Sequence, residues 1–497
     1  MFHRVVVSKD KKQSLEPLGS SAPDGVPGTW YIGDPPVNPA SDASPIVFVH
    51  GLNSSSKTWI QDNDMDELAN RHGWQTVFVD VFPDKDMFDN GEILTQMLKE
   101  ITDYFKETVV IVAHSKGGID TQTALVYFDS SDYVERVITL SSPHLGSPLA
   151  DLAYSSWAGW LSESLGNKNA GTYCLQTGYM SNYRRDTDRS PLILNHPFYT
   201  FGGTGWGSFG TSLFWGGLYL KSYGVNDGAV TVDSSRLSYA KEISVQDWNH
   251  FEIKQGSSTF ALFESFLNES YPIKQPLTAA AGGNLPSSIS DTYLHGGNYR
   301  GSTTEHFLVE DDVNSMVVSW TSDQESSSLT LISPDGTEHD QFVVHKDSVT
   351  PFEGAYHHML SIQQPTPGEW KLTARSTEEN YLLSVVYDSL INQSLDLHID
   401  TQFNANIHPK GSFAVPSMYK QLQAKLKVDF YKKGVSLPDQ ISSYQLTGVA
   451  AKNITDYGKG VYNLTIDIHG RTLTDHEFNR TMIKTLYLDD ARILHKR

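Results

Sequence analysis

Residues 109–118 read VVIVAHSKGG, an apolar run that ends in a serine flanked by small residues. Continuous branched apolar residues predict a strand that is buried on both faces, as in a parallel sheet. The following segment, GGIDTQTALVYF (117–128), predicts a helix that the chain enters through two glycines. The sequence therefore predicts a strand, a sharp turn at Ser115 and a helix.

Similar apolar runs occur on both sides of this unit. They are PIVFVH (45–50), QTVFVDVF (75–82) and YVERVITLSS (133–142), with FYTFGGT (198–204) and KEISVQDW (241–248) further along the chain. Between them, GEILTQMLKEITDYFKE (91–107) has its apolar residues on one helical stripe. Alternating strands and helices at this spacing predict an α/β fold, a three-layer sandwich with right-handed crossovers.

The remaining segments predict a chain of several domains, because a single core rarely grows beyond roughly 300 residues. After about residue 290 the apolar period becomes two, which is typical of β-sandwiches. The predicted order is an N-terminal extended arm (1–44), an α/β domain (45–271) with a cap or lid insertion (about 152–226), a linker (272–290), a β-sandwich (291–390) and a second, Ig-sized β-sandwich (391–497).

Composition excludes some classes of partner. The chain has 58 acidic and 38 basic residues, a formal charge of −20, which argues against nucleic-acid binding. No apolar run approaches the roughly 18 residues of a transmembrane helix. Cys174 is the only cysteine, so an internal disulfide cannot form. We expect a monomer.

Ser115 has the setting of a nucleophile elbow, in which a strained turn presents a serine between a buried strand and a helix. Ala113 and Gly117 supply the small neighbours that the turn needs. His50-Gly51 ends an earlier strand, and in such folds that turn faces the elbow. We therefore predict that the backbone amides of Leu52 and Lys116 form an oxyanion hole. The alternative is a chance serine at a strand end.

A serine nucleophile needs a base and an acid that orients the base. In this fold the chain order is serine, acid, histidine. His250 follows the last predicted strand, and Asp227 in VNDGAV precedes it. We predict Asp227 as the acid, with Asp233 as the second choice; Asp247 is too close to His250 in sequence.

Six segments together resemble bacterial true lipases of the α/β-hydrolase superfamily over about residues 45–270. They are HGLNSSS (50–56), AHSKGG (113–118), SSPHLGSPLAD (141–151), FYTFGGT (198–204), NDGAVTVDSSRL (226–237) and WNHFEI (248–253). The resemblance implies Ser115 as nucleophile, Asp227 as acid and His250 as base. It also implies Leu52 and Lys116 as the oxyanion-hole positions.

The chain departs from that family in several places. Lys116 stands where Gln or Met is usual, and its side chain either lies in solvent along the helix or points into the cleft. No Asp or Glu lies between Phe201 and Asn226, where several such lipases place a calcium ligand. Glu252 alone would hold calcium weakly. No cofactor is therefore expected, and a structural calcium ion has no support in the sequence.

The predicted function is a serine carboxylester hydrolase, a secreted lipase acting on acylglycerols or related esters at a lipid–water or polymer interface. Esterase, polyester hydrolase and phospholipase activities on the same residues stay open, as do a lyase or an acyltransferase. The aromatic insertion is expected to line the substrate site. The alternative of another class is a surface-binding or adhesion protein with a vestigial hydrolase domain.

Export is expected because LTLISPDG (329–336) and PTPGEWKLTA (365–374) are similar to β-sandwich modules appended to secreted bacterial hydrolases. The first residues contain no apolar signal segment. We therefore expect an extracellular protein whose signal peptide is absent from this chain.

Overall fold

A computed structural model describes most of the chain. The described residues are 2–5, 15–18, 25–41, 43–268, 291–399, 405–409, 418–432, 440–446, 457–489 and 494–495. The predicted linker (272–290) lies outside them. Within the described part, no helix combines the length and the hydropathy that a membrane span requires.

A nine-stranded sheet with the order β2-β1-β3-β5-β4-β6-β7-β8-β9 forms the centre of the first half of the chain. Its strands are Phe2–Val5 (β1), Leu15–Leu18 (β2), Thr29–Ile32 (β3), Ile46–Val49 (β4), Thr76–Asp80 (β5), Val109–His114 (β6), Val134–Leu140 (β7), Phe198–Gly203 (β8) and Lys241–Gln246 (β9). Strands β4 to β9 pair in parallel. Part of the segment predicted as an arm joins the sheet, because β3 pairs antiparallel with β5.

Nine α-helices accompany this sheet in the described residues. They are Met65–Arg71 (α1), Met87–Phe105 (α2), Lys116–Tyr127 (α3), Pro148–Ala153 (α4), Gly159–Ser164 (α5), Ala170–Cys174 (α6), Thr177–Thr187 (α7), Ser212–Leu220 (α8) and Gly256–Phe263 (α9). The apolar stripe of α2 packs in one core cluster with alternate residues of β4, β5 and β6. Helices α1 and α9 pack in a second cluster on the other face. The predicted three-layer α/β-hydrolase sandwich is confirmed.

After residue 290, the described residues form β-strands, turns and one 3₁₀ helix, Leu390–Ser394. A seven-stranded antiparallel sheet comprises Thr292–Val309 (β10), Val313–Ser322 (β11), Ser328–Ile332 (β12), Glu338–His339 (β13), Val343–Lys346 (β14), Tyr356–Gln363 (β15) and Gly368–Ser389 (β16). Leu395–Ile399 (β17) and Ala405–Pro409 (β18) form a pair. A five-stranded sheet comprises Tyr419–Tyr431 (β19), Gln440–Leu446 (β20), Gly460–Thr472 (β21), Glu477–Leu488 (β22) and Leu494–His495 (β23). The predicted change from α/β to all-β structure is confirmed.

The seven-stranded antiparallel sheet has two buried faces. Successive residues on a strand point to opposite faces, and in β11 the side chains of Met316, Val318 and Trp320 belong to the sheet's own core. The neighbouring Val317 lies on the other face, in a cluster with Trp215 and further residues of the 152–226 insertion. The insertion is therefore packed between the α/β sheet and the β-region, by which we mean the described residues after 290.

The tryptophans of the insertion serve this packing. The indole of Trp157 donates to Asp467 Oδ1 (2.8 Å), and that of Trp215 donates to Ser384 Oγ (3.0 Å). Trp206 donates within the α/β part, to the carbonyl of Asn226 (3.1 Å). Trp160 is 56% exposed. The expectation that these tryptophans line the substrate site is wrong, because none of them belongs to the wall of the pocket that contains Ser115 and His250.

Candidate active site

Ser115 lies at the turn between β6 and α3 with φ 53° and ψ −131°. A non-glycine residue in this region of positive φ is strained, and such strain persists where the surrounding structure imposes it. Two backbone bonds fix the turn: the Ser115 amide donates to the Leu140 carbonyl (3.0 Å), and the Gly118 amide donates to the Ser115 carbonyl (3.2 Å). The predicted strand–turn–helix geometry is present at Ser115.

The glycine after the turn is required by close backbone approach. A Cβ at Gly117 would lie 2.5 Å from the His50 carbonyl oxygen and 2.8 Å from that of Val49. Such distances are too short for any side chain, so only glycine lets α3 begin against the end of β4. This contact brings the His50–Leu52 loop against the elbow.

Asp227 and His250 meet in the loops that follow β8 and β9. His250 Nδ1 lies 2.7 Å from Asp227 Oδ2, and the His250 amide donates to the Asp227 carbonyl (3.0 Å). Asp227 is fully buried. Its Oδ1 accepts bonds from the amides of Ala229 and Val230, at 2.9 and 2.7 Å. These bonds hold the carboxylate in position for the imidazole.

The other acid candidates lie elsewhere. Asp233 is 68% exposed and pairs with Arg236. Asp247 directly follows β9 and is close to His250 in the chain, as expected from the sequence. Of the three aspartates considered from the sequence, the structure brings Asp227 to the histidine.

Two further residues support this pair, and neither was singled out from the sequence. Ser141 Oγ donates to Asp227 Oδ2 at 2.5 Å. His114 Nε2 donates to the His250 carbonyl (2.9 Å), and the rings of His114 and His250 lie 4.6 Å apart. Burial, followed by the charge of His250, lowers the pKa of His114 well below its usual range, so this ring is a neutral donor. The sequence offered one signal for each residue: His114 directly precedes Ser115, and Ser141 directly follows β7.

A second buried imidazole holds the predicted oxyanion loop. His50 Nδ1 donates to the Gly51 carbonyl (2.9 Å), and the Val81 amide donates to His50 Nε2 (3.2 Å). Burial lowers the pKa of His50, which agrees with this neutral tautomer. The Asn53 amide donates to the Pro83 carbonyl (2.9 Å). Leu52 is thus fixed between two anchored residues and lines the same pocket as Ser115.

The Lys116 side chain lies neither in solvent nor in the cleft, which corrects both expectations. It is 1% exposed, and its ammonium donates to Asp120 Oδ1 at 2.7 Å. Asn90 Nδ2 donates to the other carboxylate oxygen (2.9 Å). Burial raises the pKa of Asp120 although Lys116 opposes the shift. The side chain is occupied by an internal ion pair, which leaves only the Lys116 amide for the predicted oxyanion role.

Ser115 and His250 line one pocket of about 140 Å³. Its wall contains Gly51, Leu52, Asn53, Ser54, His114, Pro143, Ser147, Leu149, Ala150, Thr172, Leu175, Ala229, Val230, Phe251 and Lys254 from the α/β part. The insertion supplies Thr172 and Leu175 to it. The wall therefore combines aliphatic side chains with hydroxyl groups.

The β-region closes this pocket from the other side. Five residues between positions 348 and 353 belong to its wall: Ser348, Val349, Thr350, Pro351 and Glu353. Asn53 Nδ2 donates to Glu353 Oε2 (3.1 Å), and Asn167 Nδ2 donates to the Glu353 carbonyl (3.0 Å). Val349 packs against a cluster of Leu213, Ala229 and Val230. The 348–353 loop therefore contacts the predicted oxyanion loop and forms one wall of the candidate site.

In the described part of the chain, no three His, Cys, Asp or Glu side chains converge in a cluster that could hold a metal ion. Glu252 accepts a bond from the Asn249 amide (2.9 Å) and so shapes the turn that carries His250. This contact gives Glu252 a local structural role.

Residues 41–157, which include the elbow, match a family model described as the PGAP1-like alpha/beta domain. Among curated proteins, none matches the chain significantly. Among solved structures, the chain is similar to the Bacillus licheniformis lipase BlEst2 in propeptide form. The identity is 38%, over 95% of this chain and 100% of that chain, with a TM-score of 0.83.

The mature form of that lipase shares 51% identity and covers 49% of this chain and 99% of its own, with a TM-score of 0.47. The metagenomic carboxyl esterase MGS0156 shares 18% identity and covers 43% of this chain and 67% of its own, with a TM-score of 0.36. The similarity to the propeptide form therefore extends over both the α/β part and the β-region.

Proposed function

The chain belongs to the α/β-hydrolase family of bacterial lipases and esterases and is a carboxylic ester hydrolase; on that basis, we propose that Ser115, Asp227 and His250 are its catalytic triad. The observation that carries this proposal is the 2.7 Å contact between His250 Nδ1 and Asp227 Oδ2 in the pocket that holds Ser115. His250 and Ser115 both line that pocket, and a serine, a histidine and an aspartate are the residue types that acyl transfer needs.

The proposed reaction proceeds through an acyl-enzyme. His250 Nε2 accepts the Ser115 hydroxyl proton as Oγ bonds to the ester carbonyl carbon, and the carbonyl π electrons move to oxygen. The amides of Leu52 and Lys116 donate to that oxyanion. Collapse of the intermediate breaks the bond to the alcohol oxygen, which takes the proton from His250. Water then attacks in the same way and releases the acid.

Asp227 keeps His250 in the tautomer with the proton on Nδ1. Its Oδ1 is held by two backbone amides, and its Oδ2 is shared between His250 and Ser141. A buried carboxylate in this position also stabilises the imidazolium that forms when Ser115 loses its proton. The acid therefore orients the base without accepting a proton itself.

The proposed substrate is an acylglycerol or a related ester, and the enzyme is proposed to be secreted. The aliphatic wall of Leu149, Ala150, Leu175 and Val230 supports an apolar acyl chain. Activity on emulsified triolein and on tributyrin separates a lipase from an esterase. We expect turnover of both; turnover of tributyrin alone favours an esterase.

A second proposal concerns the β-region. The relative with 38% identity is a lipase in propeptide form, and in this chain the 348–353 loop covers the pocket. We propose that the β-region is a pro-region that restrains the enzyme. This proposal replaces the alternative of a surface-binding protein whose hydrolase domain is vestigial. Ending the chain after residue 271 tests this. Higher esterase activity supports a restraint, whereas unchanged activity together with lost binding to insoluble substrate supports a targeting module.

A further inference from the structure

A lysine side chain enters the candidate active site four residues after His250. Lys254 belongs to a single 3₁₀ turn, Glu252–Lys254, and lines the pocket together with Ser115 and His250. Its backbone is fixed, because Asn63 Nδ2 donates to the Lys254 carbonyl at 3.0 Å. This bond fixes the backbone of a lysine that forms part of the pocket wall.

The Lys254 ammonium has neutral neighbours. It donates to the Thr58 hydroxyl and lies 5.3 Å from the centre of the Phe251 ring. Throughout the part of the chain that the structure describes, no carboxylate lies within 4 Å of this nitrogen, unlike that of Lys116, which is paired with Asp120. Partial burial lowers the pKa of Lys254 to about 8. A protonated amine in this setting has lost water without gaining a counter-ion.

The pocket already holds a carboxylate from elsewhere in the chain. Glu353 of the covering loop lines the same wall, where its Oε2 accepts from Asn53. The other titratable groups that line the pocket are His114 and His250, and the first of these is neutral. If the loop lifts from the pocket, Lys254 and the Asn53 amide group are left facing an open site.

We propose that Lys254 forms an anion subsite, so that this enzyme favours esters bearing a carboxylate or a phosphate group beside the scissile bond. The proposal rests on the proposed function, since it concerns the same pocket. An anion on the acyl part or on the alcohol part of the ester would pair with the ammonium. The cation of this cleft is then Lys254, whereas the Lys116 ammonium is committed to Asp120.

The test uses the full chain at pH 7 and low ionic strength, with two matched pairs of soluble esters. Mono-p-nitrophenyl glutarate and its neutral glutaramate analogue place the charge on the acyl part. Butyrylglycerol phosphate and butyrylglycerol place a phosphate on the alcohol part. The readout is the ratio of kcat/KM for the anionic ester to that for its neutral partner.

Lys254→Met is expected to lower this ratio about tenfold for at least one pair, the effect of one partly buried charge pair. Lys254→Arg should retain most of it, because arginine keeps the positive charge. Lys99→Met is the matched control, because it removes the same charge from an exposed position on α2. The pair that responds identifies whether a carboxylate or a phosphate is preferred.

A ratio that stays within about twofold of the wild-type ratio in Lys254→Met, for both pairs, overturns the proposal. Lys254→Gln replaces the methionine variant if that variant does not fold. Failure of the proposed function gives a different result: the turnover of the neutral esters would then be the same in the wild type and in Ser115→Ala.

Discussion

The ammonium of Lys116 lies 2.7 Å from Asp120 Oδ1, and both side chains are 1% exposed. Asn90 bonds the same carboxylate and also both backbone groups of Phe82, at 3.0 Å each. The carbonyl of the next residue, Pro83, accepts from the Asn53 amide (2.9 Å). The ion pair thus connects the helix after Ser115 with the loop that carries Leu52.

Lys116→Met is expected to lower the free energy of unfolding by about 3–5 kcal/mol, because it leaves the Asp120 charge buried without its partner. The double variant Lys116→Met with Asp120→Leu should recover most of this loss, since apolar residues of similar size replace buried pairs well. Urea denaturation measures both. A double variant that is less stable than either single variant contradicts this account.

Asp227→Asn is expected to reduce kcat by about 10⁴, because an amide cannot hold the His250 tautomer. Asp233→Asn is the matched control, and we expect its activity to equal that of the wild type since Asp233 is exposed and pairs with Arg236. Steady-state rates on p-nitrophenyl butyrate distinguish the two. A large loss of kcat in Asp233→Asn, with normal kcat in Asp227→Asn, would make Asp233 the acid of the triad.

Asp151 predicts a pH dependence of stability. It is buried between α4, α7 and β22, and accepts from the Thr177 amide (2.8 Å) and from Thr485 (2.8 Å). Burial raises its pKa from 3.8 to about 6. The folded state therefore favours the protonated form, and the stability it contributes at low pH is lost as the pH rises from about 4 to about 6.

Asp151→Asn is expected to match the wild type near pH 4 and to be more stable above pH 7, by about 3 kcal/mol at most. Thermal unfolding followed at several pH values measures this difference. Asp103→Asn, on the exposed face of α2, should give a difference that does not change with pH. A pH-independent difference for Asp151→Asn would show that this carboxyl group does not titrate in that range.

Phe352 anchors the covering loop. Its ring is 1% exposed and lies 5.4 Å from that of Trp215 in an edge-on contact. Phe352→Ala removes about 3–5 kcal/mol of packing, so the loop should open more often and kcat/KM for p-nitrophenyl butyrate should rise. Val343→Ala, on the exposed strand β14, should leave kcat/KM unchanged. Equal activity in a folded Phe352 variant would exclude a restraining role for this loop.

Local sequence was sufficient to predict the α/β core. Buried strands such as VVIVAH and the stripe of α2 carry their pattern within a dozen residues, and Asp227 and His250 followed from chain order. The position of the 348–353 loop could not be predicted, because it lines the pocket of Ser115 from more than 200 residues away in sequence. The burial of Lys116 could not be predicted either. It depends on the bond from Asn90 to Asp120, which forms only when α2 packs against α3.

The turnover of a small soluble ester by full-length Ser115→Ala tests the central proposal most directly. We expect kcat on p-nitrophenyl acetate to fall by at least about 10⁴, with the circular dichroism spectrum and the melting temperature close to those of the wild type. Activity within about tenfold of the wild type, in a folded variant, would contradict the assignment of Ser115 as the nucleophile.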